Sequence, residues 1–229
     1  MPFSFQERLS SIQARINAAC QRCGRNPSEI VLLPVSKTFD APIVREAVAA
    51  GLHRFGENRV QEVRDKAPLL EDLSVEWVLI GHLQTNKAKD AAQLVGEVQS
   101  LDRLSLAEAL DKRLTKLGKT LSVLIQVKTS PEPSKFGLES TELLRFLEQL
   151  KDYPTLRPAG LMTLAIHSDD EAAVRSCFRT LRELRDQAVQ AGHDTVQRLS
   201  MGMSGDFEWA IEEGSTEVRI GSLLFGERG

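Results

Sequence analysis

In the stretch VLLPVSKTFD, residues 31–40, an apolar run broken only by Pro34 ends in a lysine, Lys37, one serine beyond Val35. A lysine at a strand end ordinarily snorkels to solvent or pairs with a carboxylate. At the rim of an apolar sheet it loses hydration, which disfavours its charged form and frees a neutral amine able to condense with a carbonyl. Far downstream, the segments LSMGMSGD (199–206) and RIGSLLFG (219–226) combine Gly202, Gly205 and Gly221 with the hydroxyls of Ser200, Ser204 and Ser222. Backbone N–H groups of such turns, where they open a helix, cradle a phosphate-sized anion. Each turn taken alone is also ordinary turn chemistry. An amine and a phosphate cradle at one place imply a phosphorylated aldehyde.

What must bring residues so far apart together is a repeated alternation of elements. Ser4 and Glu7 stand in capping-box spacing, followed by Leu9, Ile12, Ile16, Ala19 and Cys23 along one helical face that stops at Gly24. Runs rich in branched residues follow: VLLPV (31–35), HRF (53–55), EWVLI (76–80), EVQS (97–100), LSVLIQV (121–127), LRPAGL (156–161), RLS (198–200) and TEVRI (216–220). Helical patterns separate them, two opening at the apparent capping boxes Ser105/Glu108 and Ser168/Glu171. The pattern predicts an α/β fold, a single (β/α)8 TIM barrel in one domain over 1–229, with an additional N-terminal helix at about 4–24 and the barrel at about 31–229. An open doubly wound sheet is the alternative, but such a sheet carries GxGxxG after its first strand, where this chain has VSKTFD. In a barrel, residues just after each strand meet at the C-terminal mouth. That map gathers Lys37, Asn58, His82, Asp102, Arg103, Lys128, Thr129, Met162, Ser200 to Ser204, Gly221 and Ser222 in one polar ring.

Composition narrows the partners. A formal charge of −3 supplies no basic field for a nucleic acid or an anionic membrane. No apolar run approaches the ~20 residues that span a bilayer, and the N-terminal MPFSFQERLSSIQ lacks the pattern of a secretory signal, so a cytoplasmic protein is expected. Cys20 and Cys23 form a CxxC at the C-terminal end of the first helix; a redox pair belongs at a helix N-terminus and a zinc pair needs further ligands, so reduced thiols and no metal site are expected. The run RTLRELRD (179–186) reads as a solvated helix face. Lys135, in PEPSKFGL, reads as a surface lysine able to attract phosphate.

The segments VSKT, FGENRVQE, GHLQTNKAK, SLDR, SKFGL, GLMTLA, LSMGMSGDFEWAI, GSTEVRIG and FGER, in order from residue 31 to the end, together resemble the YggS/PROSC family of pyridoxal 5′-phosphate (PLP) homeostasis proteins. The resemblance implies a barrel similar to the N-terminal domain of alanine racemase, with PLP held as an internal aldimine on Lys37. It assigns the phosphate to Ser200, Gly221 and Ser222, places Asn58 and Met162 beside the ring, and sets Arg219 against the pyridine nitrogen. A guanidinium carries only donors and keeps its charge, so it leaves that nitrogen unprotonated and weakens the ring as an electron sink. The alternative for Arg219 is a surface ion pair with Glu217 or Asp206. KTFD, where many relatives read KTKP, leaves the lysine in place.

The implied role is to bind, buffer and deliver PLP, with PLP-dependent recipient enzymes as partners, and to keep amino-acid and keto-acid pools balanced; no turnover is expected. A PLP-dependent racemase or lyase using the same lysine, with His82 or His167 as base, is a competing reading, as is an aldolase-like enzyme whose lysine takes the substrate carbonyl. The two-base racemase draws its second base from a tyrosine of an extra domain; the sole tyrosine, Tyr153, precedes the sixth strand, at the far end of the barrel. No broad exposed apolar stripe is evident, which favours a monomer.

Overall fold

The computed structural model describes residues 4–130, 132 and 136–226. Lys135 and the last residues of FGER lie outside these. Eight parallel strands, β1 (Val31–Pro34), β2 (Arg54–Glu57), β3 (Glu76–Leu79), β4 (Glu97–Leu101), β5 (Leu121–Gln126), β6 (Leu156–Met162), β7 (Arg198–Met203) and β8 (Glu217–Ile220), run in the spatial order β1-β8-β7-β6-β5-β4-β3-β2. The ring is completed between β1 and β2 by one parallel bridge, Val35 to Gly56, and by the Ser36 N–H donating to the Gly56 carbonyl at 3.1 Å. The (β/α)8 barrel is therefore the fold, and the doubly wound sheet is excluded. Each sequence-predicted strand is present with ends shifted by at most a few residues; the seventh, short in the sequence pattern, continues to Met203.

Between the strands lie α2 (Ala41–Ala49), α3 (Val60–Lys66), α4 (Ala88–Leu94), α5 (Leu104–Leu117), α6 (Leu143–Leu150), α7 (Glu171–Gln190) and α8 (Phe207–Glu212), and α9 (Ser222–Phe225) follows the last strand. Ahead of them, α1 (Phe5–Cys23) opens with the predicted capping box and ends at Gly24 in the left-handed conformation. Its buried face, with Ile12, Ile16 and Ala19, packs on α8 and α9, and the Arg8 Nε–H donates to the Leu224 carbonyl at 2.6 Å. Cys20 and Cys23 are free thiols, and burial pushes the Cys20 thiol up. Two capping assignments are corrected. α5 starts at Leu104 behind an uncapped Arg103, so Ser105 lies within the helix; α7 is capped by Asp170, whose carboxylate accepts from Ala172 and Ala173. Asp170, nearer the helix than Ser168, reaches its first N–H groups directly, and Ser168 instead accepts from the Asp170 N–H at 3.0 Å.

The helices bury an apolar shell against the outside of the strands, while the interior of the barrel is polar at the end where the strands begin. Arg54, Glu97, Arg198 and Glu217 each begin a strand and meet across the barrel: Arg54 donates to both Glu97 and Glu217 at 2.6 Å, and Arg198 donates to both as well. These bonds join β2, β4, β7 and β8, strands that are mostly not neighbours in the sheet, so they cross the interior. Gln99 and Ser200 continue the column upward, with Gln99 Nε2 bonded to Glu97 and the Ser200 hydroxyl to Gln99 Oε1 at 2.7 Å. Burial alone would raise the Glu97 carboxyl, but Arg198 and Arg54 outweigh it and hold the group below its ordinary value. A carboxyl whose folded pKa is depressed adds stability above its unfolded pKa and loses it as pH falls through the folded one.

Removing one partner of a buried ion pair strands the other charge. Glu97→Ala is expected to cost about 3–5 kcal/mol in urea unfolding, against about 0–1 kcal/mol for Lys151→Ala in the exposed pair with Glu148. The Glu97-dependent part of wild-type stability is expected to disappear on acidification below the ordinary carboxylate range. Equal costs for the two variants would show that the column is not a buried ionic unit.

Candidate functional site

Lys37 stands two residues past the seam that closes the barrel. Along β1 the side chains alternate, and a Cβ on Gly56 would meet Leu33 Cδ2 at 3.3 Å and Val35 Cγ2 at 3.4 Å, so Leu33 and Val35 share one face. Ser36 stands on the other face, where its hydroxyl donates to Glu57, and Lys37 follows it into the turn. Lys37 is half-buried. The Phe39 N–H donates to the Ser36 carbonyl at 3.1 Å, so Lys37 and Thr38 are the central pair of a tight turn. Thr38 has φ +69°, and it is the only non-glycine residue with positive φ among those described.

The second turn is a direct neighbour. Val35 donates to the Ile220 carbonyl at 2.9 Å, and Gly221 and Ser222 follow at the opening of α9. The first N–H groups of α9 have no intrahelical acceptor. Phe39, two residues past Lys37, packs on Phe225 of α9 with ring centroids 5.2 Å apart, and Phe225 packs on Phe5 of α1 at 5.8 Å. The amine turn and the α9 turn are thereby one packed unit. At the end of β7, Ser204 lies half-buried in the turn before α8, where the Met203 N–H donates to Asp206 at 2.6 Å. Gly202 is needed there for packing: it has φ +95°, and a Cβ would come within 2.6 Å of the Ala210 Cβ.

Ser200 lies lower than the sequence placed it. Its hydroxyl has no exposure and is held by Gln99, Glu217 and Arg219, so it belongs to the interior column, and Ser204 is the serine of that turn at the rim. Arg219 is buried above Ser200. It donates to the Ser200 carbonyl at 2.7 Å and hydroxyl at 2.8 Å, and to the Thr163 carbonyl at 2.8 Å, with no ion pair to Glu217 or Asp206 among the described residues. Burial lowers its pKa to about 10, with Glu217 and Asp206 acting the other way, so the guanidinium is charged at neutral pH. The surface ion pair is excluded. Met162 is fully buried and pairs in register with Ser200. Asn58 follows β2 and is pressed against the next loop: a Cβ on Gly81 would fall 2.1 Å from the Asn58 carbonyl oxygen. Lys37, Asn58, Met162, Arg219, Gly221 and Ser222 thus lie along one arc, β6-β7-β8-β1-β2.

The rest of the predicted ring occupies the other arc. Lys128 is paired with Glu139 at 2.6 Å, and Arg103 donates to the Leu83 carbonyl at 2.6 Å. The His82 ring stacks on Phe136, centroids 3.8 Å apart, and its Nδ1 is 3.7 Å from Asp102; burial holds the ring below its ordinary pKa despite that carboxylate. His167 is exposed, and Tyr153 lies at the opposite end of the barrel, lining a cleft of about 450 Å³ with His193 and Arg157. No cluster of metal-ligating side chains occurs among the described residues. Sequence reasoning missed Glu57, Lys66, Glu62 and Thr163. Glu57 and Lys66 are both buried and bonded at 2.7 Å; the signal was a lysine on the apolar face of the helix in FGENRVQEVRDK, nine residues past a strand-end glutamate.

Fold and mouth together define a (β/α)8 barrel presenting one lysine beside helix-opening turns. Residues 8–229 match the family described as alanine racemase, N-terminal domain. The pyridoxal phosphate homeostasis protein of Aquifex aeolicus (strain VF5) is 46% identical over 222 residues, covering 97% of each chain. That of Escherichia coli (strain K12) is 41% identical over 226 residues, covering 96% of this chain and 95% of its own. PipY of Synechococcus elongatus PCC7942, solved with PLP bound, superposes with a TM-score of 0.87 at 35% identity over 97% of this chain and 100% of PipY. Alanine racemase of Clostridium difficile 630 has a TM-score of 0.74 at 14% identity, over 96% of this chain and 57% of the racemase, and shares the fold. The chain belongs to the alanine racemase N-terminal domain family, in its branch of YggS/PROSC-type pyridoxal phosphate homeostasis proteins.

The contact between Gly81 and Asn58 gives a local test. Gly81→Ala is expected to cost at least about 1–3 kcal/mol in chemical denaturation, because two backbones must separate. Gly205→Ala, with nothing within 4 Å of the added carbon, is expected to be near neutral. A neutral Gly81→Ala would show that the Asn58 turn is not pinned.

Proposed function

We propose that this protein binds PLP through Lys37 and serves intracellular PLP homeostasis, holding and releasing the cofactor without turnover of its own. The single observation that carries the reading is the packing of the Lys37 turn against the Gly221–Ser222 turn, one strand apart at the mouth of the barrel. The donors present fit the group. The α9 N–H groups, the Ser222 hydroxyl and Ser204 suit a phosphate dianion at a helix start. Lys37, half-buried at the rim, offers a primary amine; in its neutral form it takes the aldehyde carbon, C=N replaces C=O, and water leaves. PLP itself, when bound, supplies that aldehyde and a ring able to accept electrons.

The other residues set how far the ring is used. Arg219 is fixed from below by Ser200 and Thr163, and its charge disfavours a proton on a facing ring nitrogen. Asn58 and Met162 flank the same space, and Ser200 acts through Arg219. This arrangement supports retention of the cofactor over extensive carbanion chemistry, and so favours the homeostasis role over the racemase or lyase alternative. The curated relatives are named for homeostasis, which agrees. We read the barrel with its N-terminal helix as one domain acting as a cytoplasmic monomer, with PLP-dependent enzymes as recipients and neither nucleic acid nor membrane as partner; no helix of the described residues is long and apolar enough to cross a membrane.

The purified protein mixed with PLP is expected to gain the long-wavelength absorption of a lysine adduct, and borohydride reduction with peptide mapping to locate it on Lys37. Lys37→Ala is expected to keep its far-UV circular dichroism and melting temperature while losing the absorption, since one rim side chain contributes little core area. An adduct on another lysine, or none in the wild type, would overturn the assignment.

A further inference from the structure

We propose that Glu57, Lys66 and Glu62 form the positioning device of the lysine turn, gripping Ser36 and Thr38 on either side of Lys37 and so setting where its amine stands. The inference rests on the reading of Lys37 as the attachment point, and it concerns residues on the opposite face of the strand from the mouth. Lys66, at the end of α3, is 8% exposed and brings its ammonium to the Ser36 carbonyl at 2.8 Å, to Glu57 Oε1 at 2.7 Å and to Glu62 at 3.6 Å. Glu57 Oε1 also accepts the Ser36 hydroxyl at 2.6 Å. Glu62 accepts the Thr38 N–H at 2.7 Å. The residue before Lys37 and the residue after it are therefore both tied to three charged groups that touch one another.

The grip answers a specific cost. Thr38 sits at the third position of its turn with φ +69°, a place that suits glycine or asparagine. A branched residue there costs of order 1–3 kcal/mol and persists only where its surroundings over-determine it. The Glu62 carboxylate on the Thr38 N–H, and Lys66 on the Ser36 carbonyl that also accepts from Phe39, supply that determination. Cohesion alone does not explain a buried ammonium and carboxylate, because apolar side chains of similar volume hold a core at least as well.

The device is also sensitive to protons. Burial raises the Glu57 carboxyl to about 7, while Lys66 and Ser36 pull it down and Glu62 pushes it up; the charged groups bearing on it are Lys66 and Glu62, both from α3. Its Oε2 is buried with no hydrogen-bond partner, so a proton taken there breaks no bond yet removes the charge that holds Lys66. Because the folded pKa is raised, the stability linked to this group is complete below the ordinary carboxylate range and is lost as pH rises through about 7. The ionised, tightly gripping state forms at the expense of stability.

The test uses Glu57→Gln and Glu62→Gln in the full chain, with Lys66→Arg as a conservative partner. PLP affinity is measured against pH, and the Lys37 amine is titrated by NMR of isotope-labelled lysine in the apoprotein. Both glutamine variants are expected to weaken PLP binding by about tenfold or more through misplacement of the amine, to shift the Lys37 titration, and, for Glu57→Gln, to lose the inflection near pH 7. Lys66→Arg is expected to retain most of the affinity. Unchanged affinity and an unchanged Lys37 titration in both glutamine variants would overturn the proposal. So would affinity that falls only in step with melting temperature while the Lys37 titration stays in place. Absence of PLP uptake by the wild type would instead sink the assignment of function, and the apoprotein titration would still decide the positioning role.

Discussion

Where the strands begin, the interior of the barrel holds charges that have to be paired, and the levels above depend on how they are. Arg54 and Arg198 bind the same two carboxylates, Glu97 and Glu217, from opposite sides. Neither arginine can be removed without leaving a carboxylate in a space with little access to water, where an unpaired charge is expensive. The pairing fixes Glu217, Glu217 and Gln99 fix the Ser200 hydroxyl, and Ser200 with Thr163 fixes the Arg219 guanidinium. Each step beyond that pairing is a hydrogen bond between buried groups. The floor of the site is rigid because the level below it is fully engaged.

The rim is organised by different means. Parallel register places the ends of β8 and β1 side by side, and one bridge then joins β1 to β2. Three loops meet there with little regular structure to hold them. Aromatic packing of Phe39, Phe225 and Phe5 holds the lysine turn to α9 and to the N-terminal helix, and the groups on α3 hold it from the other side. α1 is thus more than a cover for the barrel: through Phe225, and through the Arg8 bond to the Leu224 carbonyl, it braces the helix that follows β8.

Legibility of this structure in the sequence followed the nature of each signal. Strands surfaced wherever branched residues clustered, and the boundary of α1 was plain because Ser4, Glu7 and Gly24 are local signals that act within one turn. Lys37, Gly221 and Ser222 follow the ends of β1 and β8, and strand ends in a barrel have one destination. Ser200 was placed too high for a physical reason: RLS looks like a three-residue strand, so its serine reads as a rim residue, but the strand runs on to Met203 and buries it. The polar column was not legible because its charged members pair with residues 19 to 163 positions away in the sequence; EVQS and EVRI alternate as any half-buried strand does, and only closure shows that the polar side faces inward. Ser105 and Ser168 matched the capping-box spacing by coincidence, since the pattern is short and the competing cap Asp170 lies two residues on.

A site that holds a cofactor for delivery, as proposed here, has to satisfy opposite demands, and the two halves of this one would divide them. Under the proposed reading, anion contacts at α9 and a reversible bond at Lys37 would supply retention. Arg219 remains charged at neutral pH even when buried, so it opposes the ring protonation on which steady carbanion chemistry relies. With the cofactor attached as proposed, release would require attack on the lysine bond by water or another amine, and the ease of that attack would depend on where the amine stands and how readily it takes a proton. Both are properties of the turn between Ser36 and Phe39. On that reading, control of retention would belong with the residues that shape the turn from behind, on a face where they can be altered without rebuilding the pocket.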